Sequence, residues 1–358
     1  MRALVVRGRG ETPTVEEVRL PAPGPGELRV RIRAAGLCHS DLAMVNGTLA
    51  PAYPLVLGHE ATGVVAEAGP ATRLAVGTPV VLNWAPACRD CWHCRHGEPW
   101  LCAANTAPSV ARGETAAGES VQVTLGLGAL AEEVVVPERA AVPVPAGLPP
   151  AQAALLGCAV LTGVGAVRNT ARVGAGESVA VIGLGGVGLA VLTAARRAGA
   201  SPILAVDVVE AKRELALAAG ATDFLRSDDT LGKEVRARTD GRGVDHAFEC
   251  VGRSATIRAA WRATRRGGAV TVVGMGAKDD LLSLSALDIF HSARTLRSSV
   301  YGSTDPDREV PELAAALAAG DLDLAPLVSG TVSLAEAPEA LDRLARGEGA
   351  RWVVTFPD

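Results

Sequence analysis

The sequence predicts an α/β protein of two domains, a β-rich one followed by a doubly wound parallel sheet. Three observations carry that expectation. Up to about Ala140 the apolar residues fall in short β-prone runs cut by glycine and proline, and from about Leu155 strand-like and helix-like runs alternate. The third is a glycine cluster, Gly183-Leu184-Gly185-Gly186-Val187-Gly188, that sits between an apolar run and an amphipathic one. With 358 residues, 48% of them hydrophobic, the chain is long and apolar enough to close two cores.

In the first region, residues 28–32, 62–66 and 79–82 read as strands, and Pro21-Ala22-Pro23-Gly24-Pro25-Gly26 reads as a turn between strands. In the second, strands at 178–182, 203–206, 244–249 and 269–273 alternate with helices at 187–198, 210–219 and 255–264. Helical runs follow residue 301, and Arg351-Trp352-Val353-Val354-Thr355-Phe356 reads as a last strand. The expected division is 1–155, 156–300 and 301–358. A net charge of −4 with scattered basic residues offers no surface for nucleic acid, and no run approaches the roughly twenty apolar residues of a membrane span. The expected partner is a small molecule.

Cys88, Cys91, Cys94 and Cys102, separated by two, two and seven residues, have the spacing of a closed tetrahedral zinc site. Disulfides are disfavoured because Met1-Arg2-Ala3-Leu4 does not open a secretory leader, which points to a reducing, cytoplasmic setting. An iron–sulfur cluster is disfavoured because the last gap is long and Ala103, not proline, follows Cys102. Further ligand-type residues occur in Gly36-Leu37-Cys38-His39-Ser40-Asp41, in Gly58-His59-Glu60 and at Cys158. Spacing alone does not bring these together, since a lone cysteine or histidine is ordinarily a core residue. Cys250 reads as an inert core thiol.

The glycine cluster has the G-x-G-x-x-G form of a dinucleotide site: Gly183 for the tight turn, Gly185 for close approach of backbone to pyrophosphate, Gly188 for helix against strand. Gly186 and Val187 then belong to the helix's amino end, which faces the phosphates. Asp207 closes the next strand about twenty residues on, where a carboxylate binds the adenosine ribose hydroxyls and repels a 2′-phosphate. NAD is therefore expected, and NADP is disfavoured.

In this order, the motifs resemble the zinc-dependent medium-chain alcohol dehydrogenases over essentially the whole chain. The resemblance implies a GroES-like catalytic domain, to which the C-terminal tail returns, plus a Rossmann domain. It implies two zinc ions per chain, a catalytic one on Cys38, His59 and Cys158 and a structural one on the four-cysteine cluster. Asp41 is implied to orient the ligand histidine and Glu60 to approach the metal. Lys212 matches a lysine near the ribose, Arg351 and His39 match cations on the pyrophosphate, and Thr162 matches a residue beside the nicotinamide. Trp84 and Leu49 align with substrate-pocket walls. The implied reaction passes hydride from a zinc-activated alcohol to NAD, giving aldehyde or ketone, with Ser40 as first proton acceptor. A relay histidine common in the family is replaced by Ala43. Leu82-Asn83-Trp84 and Leu156-Gly157-Cys158 look most like the branch that oxidises hydroxymethyl adducts of glutathione or mycothiol. In that branch residues 103–128 would line the thiol channel, with Arg112 as their one positive charge. The remaining alternatives are a specialised biosynthetic dehydrogenase acting on a larger secondary metabolite and a non-catalytic zinc and dinucleotide binding protein. Family members are homodimers or homotetramers.

Overall fold

The computed structural model describes residues 1–105 and 107–357. It divides into two units, Met1–Leu161 with Asp305–Asp358, and Thr162–Thr304. The first break lies later than the expected residue 155, so Gly157, Cys158 and the start of the helix Ala159–Gly165 belong to the first unit. The second likewise lies beyond residue 300, with Tyr301–Ser303 in the second unit.

The first unit is β-rich. Its longest strand, Glu27–Gly36, shows why: Leu28, Val30 and Ile32 are buried while Arg31 between them is exposed, the two-residue period of a half-buried strand. That strand lies inside a seven-stranded sheet, between Ala61–Ala68 and the terminal strand Trp352–Thr355, whose Val353 pairs with Gly36. The tail thus contributes a strand to the first unit. Five further strands, Arg2–Val6, Thr14–Arg19, Ser109–Thr115, Ser120–Thr124 and Leu55–Val56, close a barrel. Leu4, Leu28, Ile32, Leu55, Leu82 and Leu130 sit in the core beneath these sheets.

The second unit is a six-stranded parallel sheet running, edge to edge, Asp223–Arg226, Ile203–Asp207, Val179–Ile182, Val244–Glu249, Thr264–Val272, Thr295–Ser298. In chain order this is third, second, first, fourth, fifth, sixth, the doubly wound arrangement whose order reverses beside the first strand. Val179–Ile182 and Ile203–Asp207 are buried along their whole length, as strands covered on both faces must be. The helix Gly186–Arg197 leaves the first strand through the glycine cluster.

Candidate functional site

Cys38 lies two residues beyond the long strand Glu27–Gly36 and caps the helix His39–Val45. Asp41, in that helix's first turn, accepts the Cys38 N–H through Oδ2 at 2.9 Å and the Gly58 N–H through Oδ1 at 3.0 Å. Gly58 has φ +100°, and a Cβ there would lie 2.3 Å from the Leu130 backbone nitrogen, so the turn that delivers His59 needs glycine. His59 Nδ1 then lies 3.4 Å from Asp41 Oδ1. Cys158 arrives from a separate helix–helix turn, and the ligand atoms of Cys38, His59 and Cys158 all lie within 4.8 Å of one another in a buried pocket.

A second pair of charges stands behind this trio. Glu60 accepts the Ala159 N–H at 2.8 Å, and its other oxygen lies 3.3 Å from Arg351 Nε. Arg351 in turn donates to the Leu37 carbonyl at 2.8 Å and is only 2% exposed. The guanidinium of Arg351, the residue that the resemblance implies for a pyrophosphate contact, lies against Glu60 and Leu37 inside the first unit, where a buried carboxylate next to two thiols needs a cation within reach. Burial pushes Glu60 up to about 7 even against the charge of Arg351.

The thiol of Cys38 is held well below its ordinary value by its hydrogen bond to Cys158, with help from Arg351, while the same bond and burial push Cys158 up. Burial opposes charge on His59, yet Asp41 outweighs it and raises the ring well above its usual value. Two sulfurs and an imidazole nitrogen crowded this closely, from two cysteines and a histidine, are a donor set that suits zinc. Ser40 lies half-buried one turn from these groups, and His39 beside it is exposed. Trp84 and Leu49 are partly buried and pack on the first unit's core.

The four-cysteine cluster also assembles, with ligand atoms within the same 4.8 Å limit. Sulfurs bound at about 2.3 Å to one tetrahedral zinc are about 3.8 Å apart, and Cys88 Sγ and Cys94 Sγ lie 4.0 Å apart. Backbone N–H groups point at the sulfurs, from Cys88 to Cys102 and from Cys91 to Cys88. Such bonds draw Cys91 down to about 6, while burial and the neighbouring thiols push Cys94 up to about 12. Four cysteine sulfurs at this spacing, with backbone N–H groups turned on them, fit a metal.

In the second unit Gly183 has φ +92°, and a Cβ on Gly188 would lie 1.9 Å from the Gly183 carbonyl oxygen, so the helix can approach the strand end only as glycine. Gly185 caps the helix, leaving the first-turn N–H groups of Gly186, Val187 and Gly188 without helical acceptors. Asp207 is buried at the end of its strand. Its Oδ2 accepts the Leu184 N–H at 2.8 Å and lies 3.3 Å from Lys212 Nζ, and its Oδ1 accepts the Val209 N–H at 3.0 Å. Thr162 is buried on the helix Ala159–Gly165.

One residue of this region went unnoticed in the sequence. Glu249, buried at the end of its strand, accepts from Val251 N–H, Gly252 N–H and Thr256 O–H, and so shapes the turn whose Val251 side chain abuts Gly183. An acid closing an apolar strand before a glycine was the available signal. Cys250, next to it, is partly exposed as a residue, but burial around its sulfur pushes the thiol well up, and it joins neither cysteine group.

Comparison with known proteins agrees with this geometry. Residues 24–146 match the family model for the alcohol dehydrogenase GroES-like domain, and residues 186–319 match that for zinc-binding dehydrogenases. S-(hydroxymethyl)glutathione dehydrogenase of Escherichia coli is 33% identical, with 99% of both chains covered. Alcohol dehydrogenase-like 7 of Arabidopsis thaliana is 32% identical over 99% of this chain and 94% of its own. Among solved structures, benzyl alcohol dehydrogenase from Acinetobacter calcoaceticus superimposes with a TM-score of 0.90 at 28% identity, covering 99% of each chain. An alcohol dehydrogenase zinc-binding domain protein from Burkholderia ambifaria gives 0.93 at 31%, covering 100% of this chain and 99% of that one. With matches of this identity spanning nearly every residue, the chain belongs to the zinc-dependent medium-chain alcohol dehydrogenase family.

Proposed function

We propose that the protein is an NAD-dependent zinc alcohol dehydrogenase that oxidises a slim alcohol to an aldehyde or ketone. The observation that carries this is the buried convergence of Cys38, His59 and Cys158, with Asp41 behind the histidine. Cys38, His59 and Cys158 would hold a zinc ion that would supply Lewis acidity toward the substrate oxygen, and a bound nicotinamide would supply the hydride acceptor. The protein's own groups do the rest. An Nδ1–H directed at Asp41 fixes the imidazole tautomer that leaves Nε2 free as a ligand. Arg351 sets its charge against Glu60 beside the ligand trio. Ser40 takes the alcohol proton and hands it on without holding charge. Ala43 contributes nothing to a relay, so the proton leaves through water or His39. Thr162 would lie beside the nicotinamide, Trp84 and Leu49 would narrow the substrate channel, and the four-cysteine cluster would hold a structural zinc.

For the cofactor, Asp207 would bind the adenosine ribose hydroxyls and repel a 2′-phosphate, which favours NAD over NADP. Lys212, 3.3 Å from it, would share the ribose.

A second reading, oxidation of a hydroxymethyl thiol adduct, draws support from the name of the Escherichia coli relative. Against it, Arg112, the cation expected to seat the thiol's tail, is paired with Glu27 at 2.8 Å. The stretch 103–128, of which Thr106 lies outside the described residues, supplies two barrel strands. The deciding experiment follows nicotinamide reduction with NAD and with NADP, on simple alcohols and on formaldehyde with and without glutathione or mycothiol. Turnover of free alcohols by NAD is expected. Formaldehyde oxidation that demands a thiol would move the assignment to the second reading, and no turnover by a zinc-loaded protein with any of these would favour a non-catalytic role.

A further inference from the structure

Away from both sites, the second unit carries a cavity of about 650 Å³ between the helices Leu231–Ala237 and Ser254–Ala263 and the residues Asp288 and Arg294. That volume is in the range of small-molecule sites. Five cationic side chains line it: Lys233 and Arg236 from the first helix, Arg258 and Arg262 from the second, and Arg294 beyond the third. On the second helix Ala255, Arg258, Ala259 and Arg262 recur at three- and four-residue spacing, so they share one face, on which the alanines leave the space that the arginines border.

The acids and the cations of this cavity are not equivalent. Asp228 accepts the N–H and O–H of Thr230, and Asp288 accepts the Trp261 Nε1–H at 2.6 Å and lies 3.6 Å from Arg294. By contrast, the side chains of Lys233, Arg236, Arg258 and Arg262 make no hydrogen bond or ion pair among the described residues. Arg258 contributes to the charge that lowers Asp280. Elsewhere in the unit Arg238 is matched with Asp223 and Glu234, and Arg265 with Asp245. Gathering like charges is unfavourable, and Arg258 with Arg262 is itself a like-charge pair one turn apart. Burial, with repulsion from Arg236, already lowers the pKa of Arg294. Three acids, Asp228, Asp229 and Asp288, share the lining with the five cations, so positive charge from three elements is in excess around one space, the arrangement an anion completes. Guanidinium groups in such a cluster match phosphate oxygens two at a time.

We propose that this cavity is an accessory site for a small polyphosphate anion, bound chiefly by Lys233, Arg236, Arg258 and Arg262. Inorganic tripolyphosphate is the probe, titrated into the full chain by calorimetry at fixed ionic strength. One tripolyphosphate per chain is expected at this site, weakened by added salt. R258Q/R262Q should lose that binding by about tenfold or more, while R266Q, at an exposed arginine outside the cavity, should bind as the unaltered chain does. The glycine turn is untouched in every variant, so phosphate binding there survives and is told apart. K233Q/R236Q repeats the test from the other helix should the first variant fold poorly by circular dichroism. Equal binding by the folded double variants, or no binding by the unaltered chain, overturns the proposal.

Discussion

Asp207 holds Leu184 N–H, Val209 N–H and Lys212 at once, so it both shapes the glycine turn and offers charge at the strand end. Replacing it with serine should lower kcat/KM for NAD about tenfold or more and raise the relative efficiency with NADP. Leaving those N–H groups without an acceptor should also destabilise the unit by about 1–3 kcal/mol. An unchanged cofactor preference in a folded D207S protein would remove Asp207 from the ribose role. At the metal trio, Cys158→Ser replaces a thiolate by a hydroxyl that stays protonated. Metal analysis should find zinc falling from two ions per chain to one, with turnover down by about three orders of magnitude. Retention of both ions would sink the assignment of Cys158. The types of these residues were legible in the sequence, but the meeting of Arg351 with this pocket was not. Arg351 and Leu37 are 314 positions apart, and no local pattern marks a partner at that range.

The strand Val244–Glu249 contributes Asp245, which joins it to the neighbouring strands' ends. Ser178 donates to it through N–H at 2.8 Å and O–H at 2.6 Å, and Arg265 Nε at 2.5 Å. Burial alone would raise this carboxyl, but those donors outweigh it and hold it at about 2. A folded pKa below the unfolded value of about 3.9 means that the carboxylate stabilises the fold above pH 4, and that this contribution is lost as pH falls toward 2. Asp245→Asn should therefore lower stability at neutral pH by on the order of 2 kcal/mol and flatten the loss of Tm between pH 4 and 2. A variant whose Tm follows the same acid profile as the parent would contradict this. The four-cysteine loop is the other self-contained element. Cys94→Ser should cost one zinc ion while Cys38, His59 and Cys158 keep theirs, with the loop opened to proteolysis. The loop and the β-α-β rhythm were readable because both are local patterns. The closing of residues 109–124 into a barrel was not, because Leu55–Val56 pairs with a strand far along the chain.

At the scale of the molecule, the second unit ends in the strand Thr295–Ser298, which has a neighbour on one side only. Beside it in sequence, the segment through the helix Ala286–Ser292 exposes Leu281 at 80%, Leu287 at 67% and Phe290 at 79%. Apolar side chains of that size beside an open edge need cover. We expect light scattering to give at least twice the chain mass, and L287D/F290D to reduce it. A monomeric unaltered chain would refute a homodimer or homotetramer. By itself the sequence determined the two fold classes, the glycine turn with Asp207, the four-cysteine cluster and the return of the last strand. The return of the last strand was implied by the family resemblance, and the others rest on short-range periodicity or on a motif whose spacing carries its own geometry. Only the tertiary structure decided that Cys38, His59 and Cys158 share one pocket with Glu60 and Arg351, that Arg112 is spent on Glu27, and that five cations face one cavity. Those meetings depend on how sheets and helices pack, and packing joins residues that the chain keeps far apart.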